Sequence, residues 1–391
     1  MSLDRLGIYV HIPFCRRKCA YCDFNSYAGL DHLFTAYTKA LVTEITAAGM
    51  LGGYPRVDSI YLGGGTPTVL PPSLLGEILS ACGRSFNVSP DAEVTCEANP
   101  GLLDRKRSDS LLTIGVNRLS LGVQSFDDAE LRLLGRIHTA RQAEQALRSA
   151  RDAGFTNISM DLLFGLPGQG ATTWPTSLQR AIELGPEHLS LYSLAVENGT
   201  SLARQVAAGQ VQPPDEDVAA DLYLHACDRL RAAGYVHYEI SNWAQGVPAS
   251  DHDPPSMACR HNLLYWRNGT YLGFGAGAHS SLAGRRWWNV SAPDEYIRRA
   301  EAERSLEAGS EEIDERLAMG ETMMLGLRLL REGVADTTFE ERYDRSLVSM
   351  FGQEIADLEK VGLLDRLPDR VRLSARGRLL GNQAFAQFLP S

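Results

Sequence analysis

Three cysteines crowd into the run Tyr9-Val-His-Ile-Pro-Phe-Cys-Arg-Arg-Lys-Cys-Ala-Tyr-Cys-Asp-Phe-Asn: Cys15, Cys19 and Cys22. Thiolates are soft ligands that suit zinc or iron–sulfur clusters. Structural zinc sites and cubane clusters usually take four protein ligands, so three leave one metal position open to a substrate or cofactor. The alternative is three buried cysteines with no shared role. That alternative is disfavoured because three of the seven cysteines share one short run.

The chain around them has 391 residues, is 44% hydrophobic and carries a formal net charge of −10. It is long enough to bury a large core, as one big domain and a smaller one. The acidic balance argues against a general nucleic-acid binder and against a protein drawn to anionic membranes. No apolar run is long enough to span a bilayer, and Met1-Ser-Leu-Asp-Arg-Leu-Gly lacks an apolar leader. A cytoplasmic protein is therefore expected, in which clustered cysteines serve metals or catalysis rather than disulfides. The scattered Cys82, Cys96, Cys227 and Cys259 are read as packing residues.

The elements that must position the cysteines alternate between strand and helix. Strands are expected at Gly7 to Ile12, Val57 to Leu62, Glu93 to Ala98, Arg118 to Gly122, Asn157 to Phe164 and His188 to Leu194. Helices are expected at Phe34 to Met50, Pro72 to Ser85, Arg105 to Ile114, Thr139 to Ala153 and Trp174 to Leu184, the last two stopped by Gly154 and Gly185. Six such repeats predict an α/β fold, a partial (β/α)6 TIM-like barrel with helices outside a parallel sheet. Glycines, prolines and isolated polar groups gather after successive strand ends, where barrel enzymes place their sites. We divide the chain into the barrel (1–240), a segment and linker (241–312) and a C-terminal, mainly helical, winged-helix-like domain (313–391). The charged run Glu301 to Glu312 reads as the approach to that last domain.

The Cys-x3-Cys-x2-Cys spacing after a first strand, with Tyr21 before the last cysteine, resembles the signature of radical S-adenosylmethionine (SAM) enzymes. That resemblance implies a [4Fe–4S] cluster on Cys15, Cys19 and Cys22, with the fourth iron free for SAM, whose one-electron cleavage gives a deoxyadenosyl radical. It also implies SAM contacts at Tyr21 and at Gly64, Gly65 and Thr66 of Gly63-Gly-Gly-Thr-Pro67. Within the group the match narrows to the oxygen-independent coproporphyrinogen III oxidases and their relatives. It then adds Tyr9, Glu97, Gln124, Arg136, Asp161 and Ala195 as SAM-site residues.

Two departures from the oxidase pattern bear on function. The oxidase has a further cysteine two positions after the third, where this chain has Phe24, and a long arm before the cluster run. Both features resemble the HemW-type haem chaperones, as does His261-Asn-Leu-Leu-Tyr-Trp266, which matches their H-N-x-x-Y-W motif. The resemblance implies a porphyrin-related protein that binds haem and passes it to acceptor proteins, some of them membrane-associated, with a reductant protein as electron source. The competing reading is the oxidase itself, decarboxylating propionates to vinyls. Histidine is a natural axial ligand for haem iron, so His261 is the candidate haem residue; the alternative is a histidine bonded within a turn. Cys259, Arg260 and Arg267 are weaker candidates for thiolate or propionate contacts. Arg366, Arg370, Arg372, Arg376 and Arg378 are read as a solvated face, or as part of a surface that covers the barrel or docks a partner, rather than as a nucleic-acid site.

Overall fold

The computed structural model describes residues 5–170 and 172–390; Met1 to Asp4, part of the stretch read for a leader, lie outside the described residues. Six parallel strands run in sequence order across one sheet. They are β1 (Arg5–Ile12), β2 (Arg56–Gly64), β3 (Val88–Ala98), β4 (Arg118–Gln124), β5 (Ile158–Phe164) and β6 (His188–Ser193). Beyond β6 the sheet ends in the antiparallel pair β7 (Val236–Glu239) and β8 (Asn242–Ala244). On the other side of β1 it gains a seventh parallel strand, β9 (Thr270–Phe274). An antiparallel meander continues from there: β10 (His279–Leu282), β11 (Arg285–Asn289) and β12 (Glu307–Glu312). β12 and β7 are the two ends of the twelve-stranded order, so the parallel strands form an open, partial barrel.

The inner strands turn one apolar face toward the surrounding helices and the other, more polar, toward the barrel interior. Leu6, Ile8, Val10 and Ile12 of β1 and Ile158, Met160 and Leu162 of β5 are fully buried. Helix α1 (Phe34–Leu51) packs Phe34, Tyr37, Leu41 and Ile45 inward, the face its spacing predicts. Helices α2 (Pro72–Ser85) and α3 (Arg105–Thr113) follow the next two strands. Helix α4 (Ala140–Ala153) begins at a reciprocal capping box between Thr139 and Gln142 and ends at Gly154 in a left-handed conformation. Helix α5 (Thr173–Leu184) stops at Gly185 in the same way.

The run Glu301 to Glu312 is more ordered than its composition predicts. It completes helix α6 (Pro293–Glu301) and forms β12, whose acids face the arginines of β11: Glu307 pairs with Arg285 at 2.7 Å and Glu311 with Arg286 at 2.8 Å. Cross-strand charge pairs, not apolar alternation, hold this edge strand, which is why its hydropathy gave no strand signal.

The C-terminal module has its own core, including Met323, Phe339, Phe351 and Phe388. Helices Glu315–Gly326, Asp336–Tyr343 and Leu347–Lys360 pack with a small antiparallel sheet of Val334–Ala335, Arg370–Leu373 and Leu364–Arg366, a winged-helix-like arrangement. It is fastened to the barrel by a bidentate Arg267–Glu332 pair at 2.7 and 2.8 Å and by the Arg328 guanidinium lying 4.4 Å over the Trp266 ring. Arg370 and Arg376 are engaged locally, on Asp369 and on the Val361 carbonyl. Among the described residues, no helix is long and apolar enough to cross a membrane.

Candidate cofactor site

At the C-terminal ends of the parallel strands lies one cavity of about 410 Å3, where barrel folds place their sites. Cys15, Cys19 and Cys22 line its mouth, and each sulfur has a polar neighbour. Cys15 Sγ stands 3.6 Å from Thr66 Oγ1, and Cys22 Sγ 3.7 Å from Ser26 Oγ. Cys19 Sγ accepts from Arg136 Nη1 at 3.1 Å. The loop is tied to the barrel on both sides: Ala20 N donates to Leu134 O at 3.0 Å, and Leu202 N to Ala20 O at 2.7 Å. Among the described residues, no three His, Cys, Asp or Glu side chains converge as ligands of a single ion. In a cluster each of the three cysteines would bind a separate iron.

Behind the thiols runs the glycine stretch at the end of β2. Gly65 N donates to Ile12 O and Thr66 N to Phe14 O, which presses this backbone against the cysteine loop. A Cβ on Gly65 would come within 2.6 Å of the Phe14 carbonyl and 3.0 Å of Cys15 Sγ, so glycine is required by the close approach.

Polar groups enter from successive strands. On β4, Arg118, Ser120, Gly122 and Gln124 all line the cavity, while Leu119, Leu121 and Val123 are buried on the opposite face. A bulge falls between Gly122 and Gln124, and Gln124 has a φ of 70°; it is the cavity residue that holds a left-handed backbone without being glycine. Such strain and bulges serve to re-aim a side chain at a site.

From β3, Glu97 accepts from Tyr61 Oη at 2.9 Å and Gly64 N at 3.2 Å. Burial, with a contribution from the Asp161 charge, pushes its carboxyl up to about 7 against the pull of those two donors. From β5, Asp161 accepts from Ser120 Oγ at 3.0 and 3.1 Å and from Ser159 Oγ at 3.3 Å. Burial raises this carboxyl too, while the serine hydroxyls and the Arg118 charge draw it back.

Of the other residues expected here, Tyr21, Gly64, Thr66 and Arg136 line the cavity. Tyr9 does not: its ring packs near Tyr61, and its hydroxyl donates to His11 Nδ1 at 2.9 Å. That direction is fixed, because His11 Nε2 faces the Asn25 carbonyl at 2.8 Å and must carry the proton. Ala195 is exposed in the coil after β6 and is not among the lining residues.

His261 is 1% exposed. Its Nδ1 lies 2.9 Å from Ser59 Oγ and its Nε2 3.1 Å from Tyr265 Oη, with the Tyr61 ring stacked on it at 5.2 Å. Burial holds its imidazole down at about 3, so it is neutral. In this arrangement neither nitrogen faces a ligand. The motif helix α7 (Arg260–Trp266) instead closes the base of the barrel: Glu93 accepts from the backbone of Arg260 and His261, Asn262 lines the cavity, and Trp266 carries the C-terminal module on its face.

Sequence reading missed Tyr61, Arg118, Ser120, Ser190 and Tyr192 in the cavity wall. A signal existed for two of them. Arg118 and Ser120 are polar residues at alternate positions of an otherwise apolar strand, which marks one inward polar face.

Comparison with known proteins fits this geometry. Residues 9–181 match the radical SAM superfamily, and residues 313–380 match the HemN C-terminal domain. The heme chaperone HemW of Bacillus subtilis is 37% identical over 382 residues, covering 97% of this chain and 98% of that protein. HemW of Mycobacterium tuberculosis is 37% identical over 385 residues, covering 96% and 93%. The chain belongs to the HemW family of radical SAM proteins. The resemblance drawn from the cysteine spacing, Phe24 and the His261 motif is thus borne out.

The coproporphyrinogen III oxidase (HemN) of Escherichia coli, a radical SAM enzyme, shares the fold, with a TM-score of 0.84 over 98% of this chain and 90% of that one. At 24% identity, that likeness speaks for the fold alone. Membership in the radical SAM superfamily implies a [4Fe–4S] cluster and SAM. The residues present suit both: three thiols at one mouth, a guanidinium on one of them, a glycine backbone pressed against the loop, and two half-buried carboxyls beyond it.

Proposed function

We propose that this protein holds a [4Fe–4S] cluster on Cys15, Cys19 and Cys22, binds SAM beside it, and carries haem to acceptor proteins in the cytoplasm or at the membrane face, with a separate protein supplying electrons. When bound, the cluster and SAM supply one-electron chemistry. The chain's own residues do the positioning. Arg136 offsets thiolate charge at Cys19 while its Nη2 donates to the Gly122 carbonyl at 2.6 Å. Gly64, Gly65 and Thr66 offer a narrow backbone trough suited to a carboxylate. Glu97, Asp161 and Gln124 present acceptors and an amide to an amino group and a ribose, with Tyr21 at the same wall.

The observation that carries the haem reading is Phe24. Where the oxidase pattern has a further cysteine, this chain exposes 64% of a phenylalanine beside the cluster loop. The end-to-end similarity to HemW chaperones supports the same reading. The competing function, oxidative decarboxylation of coproporphyrinogen III, is tested by anaerobic incubation of the reconstituted protein with SAM, reductant and that substrate. The expected result is no protoporphyrinogen; sustained turnover to it contradicts the proposal.

A further inference from the structure

A second cavity, of about 400 Å3, sits between the end of the cysteine loop and the β9–β11 edge of the sheet. Lys18, Phe24, Asn25, Tyr27, His279 and Trp288 form its working walls. Phe24 and Ser26 line both this cavity and the cofactor cavity, so a ligand here lies one side chain away from the Cys22 loop.

Its chemistry is unlike that of the rest of the surface. Of the nine histidines, only His32 and His279 are exposed among the described residues, and His279 opens on this cavity. Its ring nitrogens have no hydrogen-bond partner among the described residues, in contrast to His261. The imidazole is held by stacking instead: its ring lies 5.6 Å from the Trp288 ring at 24°, across a directly paired position of β10 and β11. Partial burial and the nearby Arg286 lower its proton affinity, against a smaller opposing pull from Glu311, which favours the neutral form that binds iron. Phe24 adds an exposed apolar face, and the Lys18 ammonium, which donates to Phe24 O at 3.1 Å, adds a cation at the rim.

The floor is rigid. Asn25 Nδ2 donates to both Ala276 O and Ser291 O at 3.0 Å. Gly277, at a φ of 75°, leaves room for that amide, which a Cβ would meet at 2.6 Å.

We propose that this groove is the haem site, with His279 as axial ligand, Trp288 backing the imidazole, Phe24 against the macrocycle and Lys18 pairing with a propionate. A flat, apolar, dianionic metal complex matches an aromatic wall, a free imidazole nitrogen and a rim cation, with Asp23 on the same rim requiring the propionate to sit on the Lys18 side. The inference rests on the haem-carrier reading above and adds where the cargo sits: outside the barrel, against the cluster loop, and not on His261.

The test is a titration of ferric haem into the full-length protein, followed in the Soret region and by electron paramagnetic resonance. Wild type is expected to give a histidine-ligated spectrum. His279→Gly should shift the Soret band and weaken binding about tenfold or more, and free imidazole should restore the wild-type spectrum, which also shows that the variant is folded. Lys18→Glu should weaken binding while leaving the band in place. An unchanged band and affinity in His279→Gly, with wild type binding haem, overturns this site and leaves the carrier reading standing. Absence of haem binding by wild type overturns both.

Discussion

The guanidinium of Arg136 donates to the sulfur of Cys19 at 3.1 Å while its other nitrogen holds the carbonyl of Gly122. The middle cysteine is therefore bound to the same strand, β4, that supplies Gln124, Ser120 and Arg118 to the cavity. Hydrogen bonds to cluster sulfurs and nearby charge are main determinants of cluster potential.

Replacing Arg136 with Gln removes a charge-assisted bond of about 1.5–3 kcal/mol. The expected outcome is a cluster that still assembles but has a lower reduction potential, as measured by anaerobic redox titration. An unchanged potential means that the guanidinium does not act on the cluster.

Gly65→Ala places a methyl group against the Phe14 carbonyl and Cys15 Sγ. Overpacking of this kind costs about 1–3 kcal/mol, and here the cysteine loop must move to relieve it. Reconstituted iron and sulfide content should fall well below wild type, while the far-ultraviolet circular dichroism stays the same. Full iron loading would show that the loop has more freedom than the contacts allow.

With Glu97 facing the SAM amino group, as proposed, SAM binding is expected to depend on pH. The Glu97 carboxyl titrates near 7 rather than 4.5, and a cationic ligand favours the carboxylate, so affinity should rise from about pH 6 to pH 8 and then level off. Glu97→Gln should flatten that profile and weaken binding by about 1.5–3 kcal/mol. Stability runs the other way. Between 4.5 and about 7 the folded protein keeps a proton that the unfolded chain has released, so Glu97 makes stability fall as pH rises through this window. Glu44 and Glu239 are also pushed up to about 7 by burial and add to the slope. Isothermal titration and thermal melts across that range check both signs.

His261→Ala leaves Ser59 and Tyr265 without their buried partner. A loss of about 1–3 kcal/mol is expected at pH 8. Burial holds the folded imidazole down at about 3 while the unfolded one titrates near 6.5, so wild type loses stability as pH falls through 6.5 and the loss on substitution should be smaller at pH 6 than at pH 8. Denaturant unfolding measures it. A change in the haem spectrum together with unaltered stability would instead make His261 a ligand.

Much of this was legible in the sequence because the barrel repeats its signals. Buried β-branched and leucine runs, capping Thr139 and stopping Gly154 each have a local cause, and local causes can be read from sequence. The thiols and the glycine stretch were legible for the same reason. What escaped depends on partners far apart in the chain. Strand β12 exists because Glu307 and Glu311 meet Arg285 and Arg286. The burial of His261 depends on Ser59, a residue of another strand, and the role of Trp266 on Arg328 of the C-terminal module. His279 drew no notice because its significance lies in Trp288 beside it and Phe24 across the groove.

The central claim is that this protein carries haem and gives it up. Its most direct test is to load the full-length, cluster-containing protein with haem, mix it anaerobically with an apo-haemoprotein acceptor and SAM, and follow the two Soret bands. The carrier's band should decay as the acceptor's grows, faster than with free haem supplied at the same concentration, and acceptor activity should appear in step. A carrier that keeps its haem, or binds none, contradicts it.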